Sequence, residues 1–334
     1  MFLAIILLIV GFVLLVKGAD WFVDGAAGIA AKARIPQLVI GLTVVAFGTS
    51  APELAVSLSS ALKSSEGVAI GNVIGSNITN ILLILGLSAV FKALPVQKNL
   101  RRIDFPVLIF ASALFILFGF TNGKLETYEG IIMVLLIILY TSFLIWNSLR
   151  GRKNEDTMVE MNEQTEEKPT GKFAVWYEEM KGKLWFLIVI TVIGLALVVW
   201  GADIAVNAAT TIATKLGVSE SVIGLTVVAI GTSLPELVTS VTAARKGETD
   251  IAVGNIIGSN VFNILMVAGL SSAILPLVFE SAFLVDSFIA LGAAVVLAVL
   301  GYLKGNEIRR WSGIVMLAGF VLYYVYLFAS MGLA

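Results

Sequence analysis

The chain has no cysteine and no histidine. Without cysteine there is no disulfide, no thiol nucleophile and no thiolate-held metal. Without histidine the usual general base and the usual proton switch near neutral pH are gone. Charge is scarce as well: Asp, Glu, Lys and Arg make up 13% of 334 residues, against 58% apolar residues. The net charge of −1 says nothing about partners; no nucleic-acid partner is expected of a chain this apolar. Proline is rare, with 7 in the chain, so prolines inside apolar runs carry weight.

What remains is apolar sequence in runs of membrane-spanning length. A soluble core does not need them. Residues 1–15 have the look of a signal peptide, but the apolar pattern continues past Asp20 with no convincing cleavage site, so they read as the start of a first spanning helix. Ten spans fit: 2–31, 36–62, 67–92, 102–121, 126–149, 184–214, 219–244, 249–275, 280–303 and 307–331. The one long polar stretch, 150–183, separates residues 1–149 from residues 184–334, and each part holds five spans. The fold class expected is an all-α integral membrane protein of ten transmembrane helices in two inverted five-helix repeats.

The inversion follows from a repeat. Residues 39–90 and 222–273 are identical at about 30 of 52 positions at a constant offset of 183, without a gap. Five spans per half is odd, so the second copy must insert upside down, the arrangement of secondary transporters with a site near the midplane. Lys and Arg set the orientation. With the N-terminus outside, the inner connections hold Lys32, Arg34, Lys92, Lys98, Arg101, Arg102, Arg245, Lys246, Lys304, Arg309 and Arg310. The outer ones hold Lys63, Lys124 and Lys215. Both termini then lie outside and the central linker is cytoplasmic, in a multi-pass protein of the cell membrane. The linker reads as solvated, with a stretch at 173–185 expected to lie on the membrane surface.

The repeat contains the chemistry. Gly48–Glu53 reads G-T-S-A-P-E and Gly231–Glu236 reads G-T-S-L-P-E. Charge at bilayer depth is expensive and marks function. Thr49, Glu53 and Ser57 share one helix face, as do Thr232, Glu236 and Ser240, with Ser50 and Ser233 beside them. Pro52 and Pro235 lack an N–H and crowd the carbonyls of Gly48 and Gly231, so the helix ladder is expected to break around 46–49 and its equivalent. Freed carbonyls at bilayer depth need a partner, and a cation is one. The next span of each half carries a polar stripe, Asn72, Ser76 and Asn80, then Asn255, Ser259 and Asn263. Each stripe runs beside a G-x-x-x-G pair, Gly71 with Gly75 and Gly254 with Gly258, that lets helices approach closely.

Carboxylates, hydroxyls, amides and carbonyls form an all-oxygen set. It suits a hard cation such as Ca²⁺, while hydroxyl and carbonyl oxygens alone suit Na⁺. A single serine is explained equally well as a bridge between helices, and Asn77 and Asn260, off the stripe, read as structural. Lys17, Asp20 and Asp203 are left outside the site, with Lys17 and Asp20 spaced for an ion pair.

G-T-S-x-P-E followed by G-N-x-I-G-S-N, twice in inverted halves, resembles the alpha repeats of the cation/calcium exchanger superfamily, nearest to the prokaryotic sodium/calcium exchangers. The resemblance implies a monomeric ten-helix antiporter in the lipid bilayer that carries Na⁺ and Ca²⁺ and needs no organic cofactor. It implies a Ca²⁺ site on Glu53 and Glu236 with the carbonyls of Thr49 and Thr232. It implies Na⁺ sites on Ser50, Ser76, Ser233, Ser259 and the carbonyls of Ala46 and Ala229. Asn80 and Asn263 would complete the cluster. Position 263 is often Asp in the family, so this chain has two carboxylates where three are common. The first and sixth helices would slide to switch access.

The expected function is Na⁺/Ca²⁺ exchange by alternating access, at three for one, normally extruding Ca²⁺. Ca²⁺/H⁺ exchange and K⁺-dependent Na⁺/Ca²⁺ exchange are the rivals within transport. An enzyme is not expected: a hydrolase built on Ser50 or Ser233 would lack its activating base. A channel would need a continuous pore, which inverted halves do not favour.

Overall fold

The computed structural model describes residues 1–62, 66–151, 177, 180–216, 229–303 and 305–330. Among these, eight helices are long and apolar enough to cross a membrane, and a bent pair makes a ninth. The first half contributes α1 (Phe2–Ala33), the bent pair α2 (Gln37–Thr49) and α3 (Ala51–Leu62), α4 (Gly67–Phe91), α5 (Leu100–Thr121) and α6 (Thr127–Gly151). The second contributes α7 (Leu184–Lys215), the short α8 (Ala229–Thr232), α9 (Leu234–Lys246), α10 (Thr249–Ile274), α11 (Ser281–Tyr302) and α12 (Arg310–Ser330). The seventh expected span, 219–244, lies partly outside the described residues, as does most of the 150–183 linker. The surface-lying stretch expected at 173–185 is described at residue 177 and from 180 onward. There Tyr177 and Met180 pack against Phe186, Leu187 and Ile190.

Helices α1 and α7 lie antiparallel along most of their length, because their glycines meet in opposite order. A Cβ at Gly11 would sit 2.9 Å from Gly201 O, and one at Gly18 would sit 2.8 Å from Gly194 O. Glycines seven residues apart on both helices thus put backbone against backbone. Small residues are how helices gain packing in lipid, where apolar tails offer no net hydrophobic drive. The outer faces of both helices are exposed and apolar, including Phe2, Leu3, Ile9, Val13, Val192 and Trp200.

The most buried helices are the repeat-bearing ones, α4 and α10. Close approach is visible at α10: a Cβ at Gly254 would lie 2.8 Å from Leu38 O, and one at Gly258 would lie 2.7 Å from Ala46 Cβ. The expected tight contact at Gly254 and Gly258 is therefore present. Residues equivalent to the 38–45 turn, 221–228, fall outside the described residues.

Two short antiparallel pairs tie the halves at the helix ends. Leu94–Pro95 (β1) pairs with Glu307–Ile308 (β4), and Lys124–Leu125 (β2) pairs with Leu277–Val278 (β3). A shift of 183 residues turns β1 into β3 and β2 into β4, so each pair maps onto the other. Ion pairs add a further tie. Asp20 pairs with Lys246 at 3.4 Å, and Asp24 with Lys246 at 2.7 Å and Lys181 at 3.3 Å. Asp20 therefore finds its cation on the opposite half, at the end of α9. The i, i+3 pairing with Lys17 gives way because the α1 face carrying Asp20 packs on α9.

Candidate ion-binding site

The site is set by where helices stop being regular. Pro52 and Pro235 each sit one residue inside a new helix. The residues just before those helices, Ser50 (φ −84°, ψ 8°) and Ser233 (φ −88°, ψ 7°), leave helical geometry in the same way. The chain bends by 45° between α2 and α3. The break falls at Ser50, slightly later than the 46–49 turn expected. Ala46 O keeps its ladder bond from Ser50 N–H at 3.0 Å, and the hydroxyls of Thr49 and Ser259 each reach it at 3.4 Å. A second irregularity lies at the asparagines. Wide π-helical turns run over Thr79–Leu85 and Asn263–Ala268, at Asn80 and Asn263. Such turns cluster at functional sites, and no residue pattern in the sequence announced them.

Glu53 and Glu236 are fully buried. Each accepts a hydroxyl from the other half: Ser50 donates to Glu236 Oε1 at 2.7 Å, and Ser233 donates to Glu53 Oε1 at 3.2 Å. The two carboxylates and two serines thus form one cluster across the halves. The second oxygen of each, Oε2, has no hydrogen-bond partner among the described residues. Among those residues neither glutamate is ion-paired with a lysine or arginine. Burying a carboxylate without compensation is costly.

Around this centre the contacts stay reciprocal. Thr49 donates to Asn255 Oδ1 at 3.0 Å, and Thr232 donates to Asn72 Oδ1 at 3.4 Å. Asn255 donates to Ser240 Oγ and Asn72 to Ser57 Oγ, both at 2.8 Å. These amides occupy the hydroxyls of Ser57 and Ser240. Ser259 Oγ reaches Ala46 O at 3.4 Å. Ser76 is buried with its hydroxyl unpartnered among the described residues. Ala229 opens α8, at the position equivalent to Ala46.

The asparagines do not keep the symmetry throughout: Asn72 also donates to Glu53 O at 3.2 Å, and the pairs further along the stripe differ. Asn77 and Asn260 donate to each other's backbone carbonyls at 3.4 Å, which fits the structural role expected of them. Asn80 donates to Asn260 Oδ1 at 3.0 Å. The equivalent bond from Asn263 to Asn77 is not made. Asn263 Nδ2, Asn263 Oδ1 and Asn77 Oδ1 all lack a partner among the described residues. Outside this centre the sequence reading passed over Asp104, a buried carboxylate that takes the Tyr140 hydroxyl at 2.8 Å.

A model of sodium/calcium exchanger proteins matches residues 3–146 and 186–329. The chain belongs to the sodium/calcium exchanger family. Sodium/calcium exchanger MaX1 of Methanosarcina acetivorans is 35% identical over 97% of this chain and 98% of its own length. Inner membrane protein YrbG of Escherichia coli is 36% identical over 98% of both. Solved structures of the sodium-calcium exchanger NCX_Mj share the architecture. One of them, soaked with 2.5 mM Na⁺ and 0.1 mM Ca²⁺, has a TM-score of 0.80 at 32% identity, over 97% of this chain and 98% of that one. A 49-residue stretch is also 55% identical to human sodium/potassium/calcium exchanger 2, covering 15% of this chain and 7% of that protein. This member of the family is a multi-pass membrane protein and a cation/Ca²⁺ antiporter, in a group of transporters rather than enzymes.

Proposed function

We propose that this chain exchanges Na⁺ for Ca²⁺ at one site formed by the two halves, working by alternating access. The observation that carries the reading is the reciprocal cluster of Glu53 with Ser233 and Glu236 with Ser50. Two buried carboxylates with open oxygens and no basic partner among the described residues balance one divalent cation in charge. Glu53, Glu236 and the carbonyls of Thr49 and Thr232 would hold Ca²⁺. Ser50, Ser76, Ser233, Ser259, Asn80, Asn263 and the carbonyls of Ala46 and Ala229 would hold Na⁺ or complete its coordination. All ligands are oxygen, in keeping with hard cations.

The ten-span inverted architecture belongs to the same proposal. Contacts that exchange under a 183-residue shift, at the site and at the two strand pairs, are what a pseudo-twofold axis in the membrane plane produces. Each strand pair joins loops that the expected topology puts on one side of the membrane. The glycine-locked α1 and α7 would move as one body over the remaining helices. The chain would act as a monomer in the cell membrane, with both termini outside and the linker in the cytoplasm.

Three Na⁺ per Ca²⁺ is favoured on energy. A tenfold Na⁺ gradient is worth about 1.4 kcal/mol per ion, so three ions supply about 4.2 kcal/mol. One net charge crossing 100 mV adds about 2.3 kcal/mol. Together these sustain a Ca²⁺ gradient on the order of 10⁴–10⁵, whereas two ions for one reach only about 10². Extrusion of Ca²⁺ is then the working direction. K⁺-dependent exchange is a second reading, supported by the short similarity to the human sodium/potassium/calcium exchanger.

The test is ⁴⁵Ca²⁺ uptake into Na⁺-loaded proteoliposomes, with separate arms for a proton ionophore and for K⁺ removal. Uptake that needs the Na⁺ gradient and survives both arms supports the proposal. Collapse with the ionophore would move the reading to proton exchange, and collapse without K⁺ to the K⁺-dependent one.

A further inference from the structure

The Thr49 hydroxyl has one proton and three oxygens within reach: Val45 O at 3.1 Å, Ala46 O at 3.4 Å and Asn255 Oδ1 at 3.0 Å. A hydroxyl proton rotates to suit its surroundings and serves one acceptor well at a time. Two of the three acceptors are backbone carbonyls on the turn that ends at the Ser50 break. The third belongs to a fully buried side chain from the opposite half. Its amide nitrogen donates to Ser240 Oγ at 2.8 Å, which assigns the amide oxygen to the Thr49 side. Asn72 makes the mirrored contacts, with Oδ1 towards Thr232 and its nitrogen on Ser57 Oγ, and its nitrogen also reaches Glu53 O.

A cation approaching Ala46 O repels a proton aimed at that oxygen, and the repulsion is large away from water. The proton must then turn elsewhere or be left unpaired, which costs free energy in a buried site. Asn255 Oδ1 already stands at hydrogen-bond distance. We propose that Asn255, and Asn72 in the mirrored place, are positioning residues. Each accepts the threonine hydroxyl proton when the site is loaded, and so releases the carbonyls of the broken turn to the ion. Without the ion the same proton returns to those carbonyls and keeps the turn satisfied. The asparagine stabilises the loaded state over the empty one without touching the cation. This rests on the cation-exchange reading above.

The proposal differs from a plain clamp between helices in what it couples. A clamp depends on both ends of the amide, whereas this role depends on Oδ1 and on the Thr49 hydroxyl. The experiment measures the apparent KM and Vmax for Ca²⁺ in proteoliposomes of the full chain. It compares wild type, Asn255→Ala, Ser240→Ala, Thr49→Val and the double variant Thr49→Val/Asn255→Ala. Asn255→Ala should raise KM about three- to tenfold, the range one hydrogen bond covers, with Vmax within about twofold. Ser240→Ala should leave KM within about twofold of wild type, and Asn255→Ala should add little once Thr49 is valine. A wild-type KM in Asn255→Ala, an equal effect in Ser240→Ala, or full additivity in the double variant would each overturn the proposal.

The rise in melting temperature on adding Ca²⁺ in detergent reads binding without transport and should shrink in Asn255→Ala. Asn72→Ala with Thr232→Val offers the same comparison on the other half. If neither asparagine variant folds, both residues are scaffold and the proposal fails. If wild type shows no Na⁺-driven uptake, the exchange reading fails, and the melting comparison still decides the role of Asn255.

Discussion

Ser50 and Ser233 each give a hydroxyl proton to the carboxylate of the other half, so each serine supports a charge it is not linked to in sequence. Removing either hydroxyl leaves a buried carboxylate oxygen with one partner fewer. Ser50→Ala and Ser233→Ala should each slow exchange and weaken Na⁺ dependence, by the factor of about ten that a charge-assisted hydrogen bond is worth. Na⁺ titration of Ca²⁺ uptake measures it; an unchanged Na⁺ response would remove that serine from the ion path. Asn263→Asp should place a third charge beside two carboxylates, to be matched by a cation or a proton. Its flux should depend more steeply on pH than that of wild type, and coincident pH profiles would show that position 263 does not face the ions. At this scale the glutamates were legible, because charge in an apolar run is rare and theirs recurs. The partners of Asn72 and Asn255 were not. Which threonine each amide meets depends on the register between halves, and spacing within one half does not contain it.

Helices α1 and α7 show how much of an element's role lies in what it lacks. At Gly18 a Cβ would approach Gly194 O and Val198 N at 2.8 Å, and both contacts are backbone. Gly18→Leu cannot be absorbed by a side-chain shift. Overpacking costs about 1–3 kcal/mol, so the variant should melt at a lower temperature and exchange poorly. Gly292→Ala on α11 is the control, because a Cβ there meets nothing within 4 Å. It should change stability by no more than about 0.5 kcal/mol. Equal melting temperatures for Gly18→Leu and wild type would show that the two helices are not locked together. The sequence showed these helices as apolar runs, but the antiparallel match of Gly11 and Gly18 to Gly201 and Gly194 needed coordinates. The break before Pro52 was legible from proline alone. Its position at Ser50 was not, because the Ser50 N–H holds on to Ala46 O after the ladder is lost further along.

For the molecule as a whole, the 183-residue offset is the feature from which the rest follows. It turns a list of buried polar residues into pairs, and the reciprocal contacts at the site and at the strand ends obey it. The stretch 150–183 has no counterpart in the repeat. Its polar, unpatterned composition fits a linker. Deleting 154–170 should leave Na⁺-driven Ca²⁺ uptake within about twofold of the intact chain, as expected of a polar, unpatterned stretch between two complete halves. Loss of transport in a well-expressed deletion would give the linker a working role. The central claim is that two glutamates, one from each half, form a single exchanging site. The measurement that tests it most directly is ⁴⁵Ca²⁺ uptake into Na⁺-loaded proteoliposomes carrying Glu53→Gln or Glu236→Gln, with folding checked by melting temperature. An amide is cheaper to bury than a carboxylate, so both variants should fold. Each removes half the charge that balances Ca²⁺, and the account predicts that either one alone abolishes exchange. Near wild-type uptake by a folded Glu53→Gln or Glu236→Gln protein would contradict it.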